Sequence, residues 1–168
     1  TPPMPGRHNA MNTVAALLAA RHAGLPLAAG IAALPAFAGV RRRLEPRGTV
    51  NDIQLVDDFA HHPTAIHATL TALKEAEPRR RVIAVLEPRS NTMRAGVHAG
   101  TLADALSQAD AVFMLTEPGL DWDVSTTLAG LGHRLVTAGS VAELSAATAT
   151  AAAASASACK SIKRGSAT

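Results

Sequence analysis

Two short apolar runs constrain the fold of this 168-residue chain more strongly than any other feature of its sequence. The runs RVIAVL at 81–86 and AVFMLT at 111–116 have the length of typical strands, and neither alternates apolar with polar residues. A strand with one face in water alternates, so these continuous runs predict strands that are buried on both faces. Helical patterns at 63–76 and 100–108 precede the two runs, with short links between the elements. This alternation predicts an α/β fold of Rossmann-like type, with a mostly parallel, doubly wound sheet.

The first part of the chain predicts two helices with no strand between them. Apolar residues repeat at helical spacing over 9–23, where Asn9 suits the N-cap position. Gly24 then supplies a stop for the helix. Pro26 fits the first turn of a second helix at 26–34.

The rest of the chain divides into short elements and an unusual tail. The pattern predicts strands at 41–45, 50–57 and 133–138, a turn at Pro46-Arg47-Gly48 and a short helix at 124–131. Alanine and serine dominate residues 140–158, and no large apolar residue lies between Leu144 and Ile162. Alanine propensity alone permits a helix there, while low complexity or disorder fits the composition equally well.

Charge and cysteine content exclude several classes of protein. The formal net charge is +3, but Lys160, Lys163 and Arg164 lie in the tail, and without them 13 basic residues balance 13 acidic ones. The sequence therefore lacks the basic face of a nucleic-acid-binding protein. The single cysteine, Cys159, excludes an internal disulfide and a multi-cysteine metal site. No apolar run reaches the ~18 residues of a membrane span, and the opening TPPMP does not resemble a signal peptide.

A polar loop directly follows the strand predicted at 50–57, and such strand ends line the ligand-binding edge of open α/β sheets. In this loop Asp58 and His61 stand just before a helix that has Pro63 in its first turn. Two interpretations remain open for the pair: contacts to a nucleotide or its metal, or a helix-capping pair and nothing more. A zinc site that includes His62 and His67 is disfavoured, because adjacent histidines point apart and no clear fourth ligand is near.

Two further polar loops follow the apolar runs. Arg89 is a candidate for carboxylate or phosphate recognition through its planar fork, with a solvated loop arginine as the alternative. Trp122, the one tryptophan of the chain, lies among acidic residues and predicts a lid, a substrate wall or a hydrophobic plug. In the predicted strand at 41–45, alternate arginines would face opposite ways, so one could reach a phosphate. A charged face in solvent explains the arginine run equally.

Four segments together resemble the Mur ligase family. They are GRHNAMN at 6–12, FAGVRRRLE at 37–45, DDFAHHPT at 57–64 and EPRSNTM at 87–93, in the family's order and at family-like spacing. The resemblance implies that residues 35–140 form the C-terminal domain of such a ligase. It further implies that residues 1–34 are trailing helices of the central ATP-binding domain, and that the Ala/Ser-rich tail at 141–168 is atypical for the family.

The resemblance implies a cytoplasmic, ATP-dependent ligase of peptidoglycan recycling. ATP with Mg²⁺ would phosphorylate the carboxylate of UDP-N-acetylmuramate, and the amine of the murein tripeptide L-alanyl-γ-D-glutamyl-meso-diaminopimelate would attack the acyl phosphate. The family's phosphate loop and UDP-sugar domain do not occur in this chain, so we expect this part alone to be inactive and the Mg²⁺ ligands to lie mainly in the central domain. Two alternatives are L-alanine as the acceptor, and a non-catalytic module that binds a nucleotide or another anion.

Residue roles follow from the resemblance, position by position. The adenine would be contacted by His8, Asn9 and Asn12. Arg43 would reach an ATP phosphate and, with His61, act in catalysis, while Asp58 would lie on the nucleotide side. The peptide acceptor would be read by Arg89, Ser90, Asn91 and Glu117. The resemblance assigns no metal ligand to this chain.

Overall fold

The computed structural model describes residues 4–116 and 118–165, with side chains up to residue 154. Helices and strands alternate after an initial helical pair, as the apolar runs predict. In chain order the elements are α1 (Arg7–His22), α2 (Leu27–Ala33), a 3₁₀ turn (Leu34–Ala36), β1 (Glu45–Val50), β2 (Ile53–Asp57), α3 (Pro63–Ala76), β3 (Ile83–Leu86), α4 (Asn91–Arg94), α5 (Ala99–Ala105), β4 (Ala111–Leu115), α6 (Val124–Thr127), a second 3₁₀ segment (Ala129–Arg134), β5 (Leu135–Ala138) and α7 (Val141–Gly165).

Strands β3, β4 and β5 form a parallel sheet in that order. Ile83 pairs with Ala111 and Val112 pairs with Leu135, so the three carboxyl ends meet at one edge. Every residue of β4 is buried, as expected for a central strand covered on both faces. The same prediction is wrong for β3, which lies at the edge of this sheet and has Val85 50% exposed. The α/β prediction with a parallel sheet is therefore confirmed.

The two faces of β4 enter two separate hydrophobic clusters. Val112 and Met114 pack with Leu102, Leu106 and other residues of α3, α5 and α6, while Phe113 and Leu115 face α7 on the other side. Burial of each such side chain stabilises the fold by about 1.5–3 kcal/mol. Helices on both faces give the doubly wound arrangement.

Strands β1 and β2 form a separate antiparallel hairpin, and here the predicted turn is wrong. Pro46 and Gly48 lie inside β1, on either side of a register shift, while the turn is made by Asn51 and Asp52. Both turn residues have left-handed backbones, with φ of 50° and 66°. Asn and Asp tolerate this conformation, and a two-residue turn of this kind matches the twist of the strands. Proline remains possible in β1 because the strand is at an edge and bulged.

The α1 helix begins earlier than its periodicity predicts. Gly6, with φ of 94°, precedes the first helical residue, Arg7. The prediction of Asn9 as the N-cap is wrong, because Asn9 lies inside the helix and is buried, and its side-chain Nδ2 donates to the Pro5 carbonyl at 2.7 Å.

The alanine-rich segment that begins at Val141 is a helix, one of the two outcomes its composition permits. Ser140 Oγ accepts from the Glu143 N–H at 3.3 Å, and the Glu143 carboxylate accepts from the Gly139 N–H at 3.0 Å. This reciprocal arrangement resembles a capping box and marks the start of α7. Leu144 anchors the helix against the sheet. Within the described ranges, no helix is long and apolar enough to cross a membrane.

Candidate functional site

Asp58 lies directly after β2 and joins two segments of backbone. Its Oδ2 accepts from the Leu44 N–H at 2.8 Å, and its Oδ1 accepts from the Ala60 N–H at 2.8 Å and from the Thr69 hydroxyl at 3.3 Å. Both carboxylate oxygens are therefore engaged by protein donors. Asp58 thus joins the segment before β1 to the loop that precedes α3 and to the middle of that helix.

The arginine run does not form a strand, contrary to the prediction for 41–45. Residues 41–44, which we call the arginine turn, bridge back from Arg43 to Val40. Arg42 and Leu44 have positive φ values of 56° and 46°. Such backbones cost about 1–3 kcal/mol each for non-glycine residues, so surrounding contacts must impose them. Two of these contacts are the Asp58 bond to Leu44 and the Phe59 N–H bond to the Arg42 carbonyl at 2.8 Å.

Within the arginine turn, Arg42 and Arg43 have different surroundings. The Arg42 guanidinium lies 4.8 Å from the centre of the Phe59 ring, and its Nε is 3.7 Å from Asp57 Oδ2. Arg43 is exposed, and no described residue accepts a hydrogen bond from its side chain or forms an ion pair with it. The turn thus presents the Arg43 guanidinium to solvent, while its backbone is bonded to Asp58 and Phe59.

Glu45 adds a negative charge at the end of the arginine turn. The Arg42 N–H donates to Glu45 Oε2 at 2.8 Å, and this bond is the main reason that the pKa of the Glu45 carboxyl lies below its ordinary value. Loss of solvation opposes the shift, and the charges of Arg47 and Arg41 reinforce it.

The two adjacent histidines do different things. His61 Nδ1 lies 3.0 Å from the Phe59 carbonyl, which can only accept, so this nitrogen carries the proton and Nε2 remains an acceptor in the neutral ring. His62 caps α3 by accepting from the Thr64 N–H at 3.3 Å, and its ring packs edge-on against His98 at 4.3 Å. Within the described parts of the chain, no cluster of three or more histidine, cysteine or acidic side chains could hold a metal.

The segment after β3 combines a capped helix with an exposed arginine. Ser90 Oγ accepts from the Met93 N–H at 3.3 Å and so begins α4, with Asn91 as its first residue. The Arg89 side chain is 83% exposed, with its Nε 3.4 Å from Glu87 Oε1. This segment borders a cavity of about 110 Å³, and the residues that line it are Glu87, Pro88, Arg89, Arg94, Leu115, Pro118 and Leu120.

The loop after β4 forms the other side of this cavity. Glu117 lies outside the described residues, and the loop continues through Pro118 and Gly119 to Trp122. The Trp122 indole N–H donates to the Met93 carbonyl at 2.7 Å and is half-buried. This packing fits the interpretation of Trp122 as a hydrophobic plug, while a role as a lid or substrate wall stays a prediction. Sequence reasoning missed Arg94, which binds this loop and which follows directly after the EPRSNTM segment.

The three residues predicted to contact adenine lie in the first half of α1. His8 is half-buried, Asn12 is exposed, and Asn9 uses its amide nitrogen to hold Pro5. The amino end of α1 packs on α3, where Gly6 approaches Ala72. The structure thus groups the arginine turn with the Asp58 loop, and the Arg89 loop with the loop after β4.

Comparison with known protein families identifies the chain. A model of the family described as "Mur ligase, glutamate ligase domain" matches residues 42–163, which include the Asp58 loop, the whole parallel sheet and all of the arginine turn except Arg41. The chain belongs to the Mur ligase family. The resemblance found in its sequence motifs is thereby confirmed.

Two curated relatives of this Mur ligase chain carry the same enzyme name. The UDP-N-acetylmuramate–L-alanyl-gamma-D-glutamyl-meso-2,6-diaminoheptandioate ligases of Haemophilus influenzae and Escherichia coli are 51% and 50% identical to it over 121 residues. These matches cover 71% of the chain but 27% and 26% of the relatives. The chain thus spans about a quarter of the length of the curated relatives it matches. A UDP-N-acetylmuramate–L-alanine ligase of Mycolicibacterium vanbaalenii is 45% identical over 115 residues, 67% of the chain and 24% of that relative.

Solved structures of Mur ligases resemble the fold. A murein peptide ligase from Psychrobacter arcticus has a TM-score of 0.60 and 39% identity, covering 84% of the chain and 31% of that protein. A UDP-N-acetylmuramate–alanine ligase from Thermotoga maritima has a TM-score of 0.65 and 27% identity, covering 80% and 30%.

Proposed function

We propose that this chain is the C-terminal part of an ATP-dependent ligase that joins the L-alanyl-γ-D-glutamyl-meso-diaminopimelate tripeptide to UDP-N-acetylmuramate in peptidoglycan recycling. The observation that carries the proposal is sequence identity. The chain is 51% and 50% identical to two curated ligases named for these substrates, and 45% identical to the L-alanine ligase. The geometry of the arginine turn also supports the proposal, because its constrained backbone leaves Arg43 exposed.

The reaction has two steps. The muramate carboxylate takes the terminal phosphoryl group of ATP, which releases ADP and forms an acyl phosphate. The tripeptide amine then attacks the acyl carbon, the C–N bond forms, and inorganic phosphate leaves as the amine loses its proton. Bound Mg²⁺ would offset phosphate charge, with its ligands mainly in the central domain.

Arg43 and His61 serve the phosphoryl side in this proposal. An exposed guanidinium with no protein partner among the described residues can form a bidentate pair with the transferred phosphoryl group, and its charge stabilises the transition state. The bond from Nδ1 to Phe59 orients the His61 ring, so that Nε2 can accept a proton or a hydrogen bond. Because both Asp58 oxygens are engaged, Asp58 acts on the nucleotide side by positioning the arginine turn.

The acceptor side is the cavity between the loops that follow β3 and β4. Arg89 and Glu87 there offer opposite charges, which suit the carboxylate and ammonium groups of a peptide that ends in a diamino acid. Ser90 and Asn91 lie at the start of α4 beside Arg89. Glu117 stays a predicted acceptor contact.

The remaining substrates and domains belong to the longer protein. We assign residues 1–34 to the central domain and residues 35–140 to the C-terminal domain, with His8, Asn9 and Asn12 on the adenine. The N-terminal and central domains of the same protein would bind UDP-N-acetylmuramate and most of the ATP. The cytoplasm supplies both nucleotides, so we place the reaction there.

The test joins the chain to its natural upstream region and measures ADP release with UDP-N-acetylmuramate. The tripeptide is compared with free L-alanine as acceptor. We expect release with the tripeptide, and Arg43→Ala should lower kcat by about 10²–10³-fold. The matched control is Arg41→Ala in the same turn, which should stay within about threefold of the wild type. Release with L-alanine alone would assign the sister activity, and no release with either acceptor would support the non-catalytic binding module.

A further inference from the structure

We propose that Arg94 is a positioning residue that sets the width and selectivity of the acceptor cavity. The assignment of the cavity to the peptide acceptor rests on the proposed function. The contact itself, between α4 and the loop after β4, rests on geometry alone. Arg94 lines the cavity and at the same time binds the opposite wall.

Arg94 holds that wall through two neighbouring carbonyls. Its Nε donates to the Gly119 carbonyl at 3.3 Å, and its Nη2 donates to the Pro118 carbonyl at 3.2 Å. The backbone returns the contact, since the Asp121 N–H donates to the Arg94 carbonyl at 2.9 Å. A guanidinium presents its donors in a planar fork, so one side chain can satisfy two adjacent acceptors in a way that a lysine ammonium on a flexible stem does not.

The absence of a side chain at Gly119 leaves room for the Arg94 guanidinium. Its φ is 97°, and a Cβ at this position would lie 2.5 Å from Arg94 Nη2. A side chain at 119 would therefore be strained by its backbone and would also displace the arginine. The close approach of guanidinium and backbone requires glycine here.

The indole of Trp122 closes the same junction. It donates to the Met93 carbonyl, and its ring lies against Gly96, where a Cβ would come within 3.0 Å of the ring. Gly96 has φ of 68°, so both glycines at the junction combine a left-handed backbone with a tight contact. The end of α4 and the loop over 118–122 thus form one packed unit.

The wall that Arg94 holds separates two cavities. Pro118 and Leu120 line the 110 Å³ cavity on one side and a cavity of about 380 Å³ on the other, the latter also lined by Thr116, Trp122 and Thr137. If the wall moved, the smaller cavity would open towards the larger one. The fit to the end of the acceptor would then be lost, while the phosphoryl side at Arg43 would be unaffected.

Steady-state kinetics of the longer protein test the proposal. We expect Arg94→Ala to raise the KM for the tripeptide at least tenfold, with kcat and the KM for ATP within twofold of the wild type. Arg94→Lys keeps the charge and should still raise the tripeptide KM severalfold. Gly119→Ala should raise it as well. Full recovery of the KM by the lysine variant would overturn the role of the fork.

Arg134 supplies the matched control, because its Nη1 also donates to two backbone carbonyls, those of Ser107 and Ala109, before the amino end of β4. Arg134→Ala should lower stability and leave the tripeptide KM unchanged. A rise of the tripeptide KM in Arg134→Ala equal to that in Arg94→Ala would reduce Arg94 to a general structural role and overturn the proposal.

A second readout separates this proposal from the proposed function. Trp122 is the single tryptophan of the 168-residue chain, so its fluorescence reports on the junction without any substrate. Arg94→Ala should make Trp122 more accessible to acrylamide, and Arg134→Ala should not. Unchanged quenching in Arg94→Ala would overturn the positioning of the wall. Altered quenching in the 168-residue chain, together with no ligation of the tripeptide by the wild-type longer protein, would sustain the contact and reject the proposed function together with the acceptor role.

Discussion

At the scale of single residues, Asp58 joins segments that lie 14 positions apart in the chain. An asparagine here cannot accept from both the Leu44 and the Ala60 N–H groups, because one of its side-chain atoms is a donor. We expect Asp58→Asn to lower the free energy of unfolding by about 2 kcal/mol. The matched control is Asp57→Asn, which loses only a long, exposed ion pair and should cost less than about 0.5 kcal/mol. Urea unfolding of both variants measures the difference, and equal losses would contradict a special role for Asp58.

Asp110 couples stability to pH. Partial burial acts to raise the pKa of its carboxyl, but hydrogen bonds from the Lys74 ammonium and the Val82 N–H, with the charges of Lys74 and Arg81, hold that pKa below its ordinary value. The unfolded chain therefore binds this proton at a higher pH than the folded chain does. The stabilisation is complete above the unfolded pKa of about 4 and is lost as the pH falls through the folded pKa.

Asp110→Asn should thus cost about 1 kcal/mol at pH 7. The difference from the wild type should shrink as the pH is lowered from about 5 towards about 3. Urea unfolding at several pH values measures both effects. A difference that stays constant over this range would show that the carboxylate charge of Asp110 plays no part.

The sequence motifs predict site roles for Asp58 and Arg43, but they do not predict the bond from the Leu44 N–H to Asp58 that holds the arginine turn. An aspartate after a strand is recognisable by type and position, and the nucleotide-side role that the resemblance implies for it stays a prediction. The bond from the Leu44 N–H could not be predicted from the sequence, because it depends on the backbone of the arginine turn, where Arg42 and Leu44 have positive φ. Nothing in an arginine run indicates left-handed residues.

At the scale of elements, the β1–β2 hairpin depends on its turn. Asn51 has φ of 50°. A left-handed backbone of this kind costs about 1 kcal/mol of conformational free energy for alanine and little for glycine. We expect Asn51→Ala to be less stable than Asn51→Gly by about 1 kcal/mol, which reverses the usual order of alanine and glycine in regular elements. Both variants remove the same side chain, so each controls for the other in thermal unfolding. Equal stability, or a more stable alanine variant, would contradict the left-handed turn.

The buried strands were the most predictable elements and the hairpin was the least. Continuous apolar runs predict burial on both faces, and β4, in the middle of the sheet, is buried throughout. β3 lies within its predicted run, but it is an edge strand and its Val85 is 50% exposed, because the described residues place no strand beyond it. The hairpin was mispredicted because Pro46 and Gly48 are strong turn formers in isolation. A bulged edge strand tolerates them both, and this depends on the neighbouring strand rather than on local sequence.

At the scale of the whole molecule, the described chain has a sheet whose central strand is fully covered and a helical pair that is not. Residues at helical spacing on α1, namely Met11, Val14 and Leu18, are 59%, 48% and 53% exposed, and Ile31 on α2 is 51% exposed. Amphipathic helices bury such residues against a partner. The chain spans about a quarter of its curated relatives, so we expect the upstream domain to cover this surface.

If the upstream domain covers this surface, one substitution should have a small effect in the 168-residue chain and a large effect in the longer protein. Leu18→Gln should change the stability of the 168-residue chain by less than about 0.5 kcal/mol, because Leu18 is exposed there. Joined to the upstream region, the same change should cost about 2 kcal/mol, since a covered leucine would be replaced by a polar side chain.

Leu17 is the matched control for Leu18, because it packs inward and a Cβ on Gly30 of α2 would lie 2.9 Å from its Cδ2. Leu17→Gln should therefore destabilise the short chain and the longer protein alike. Thermal unfolding of both variants in both proteins gives the four values needed. If Leu18→Gln had the same small effect in each protein, the helical pair would not be part of the upstream domain, and the boundary at residue 34 would be wrong.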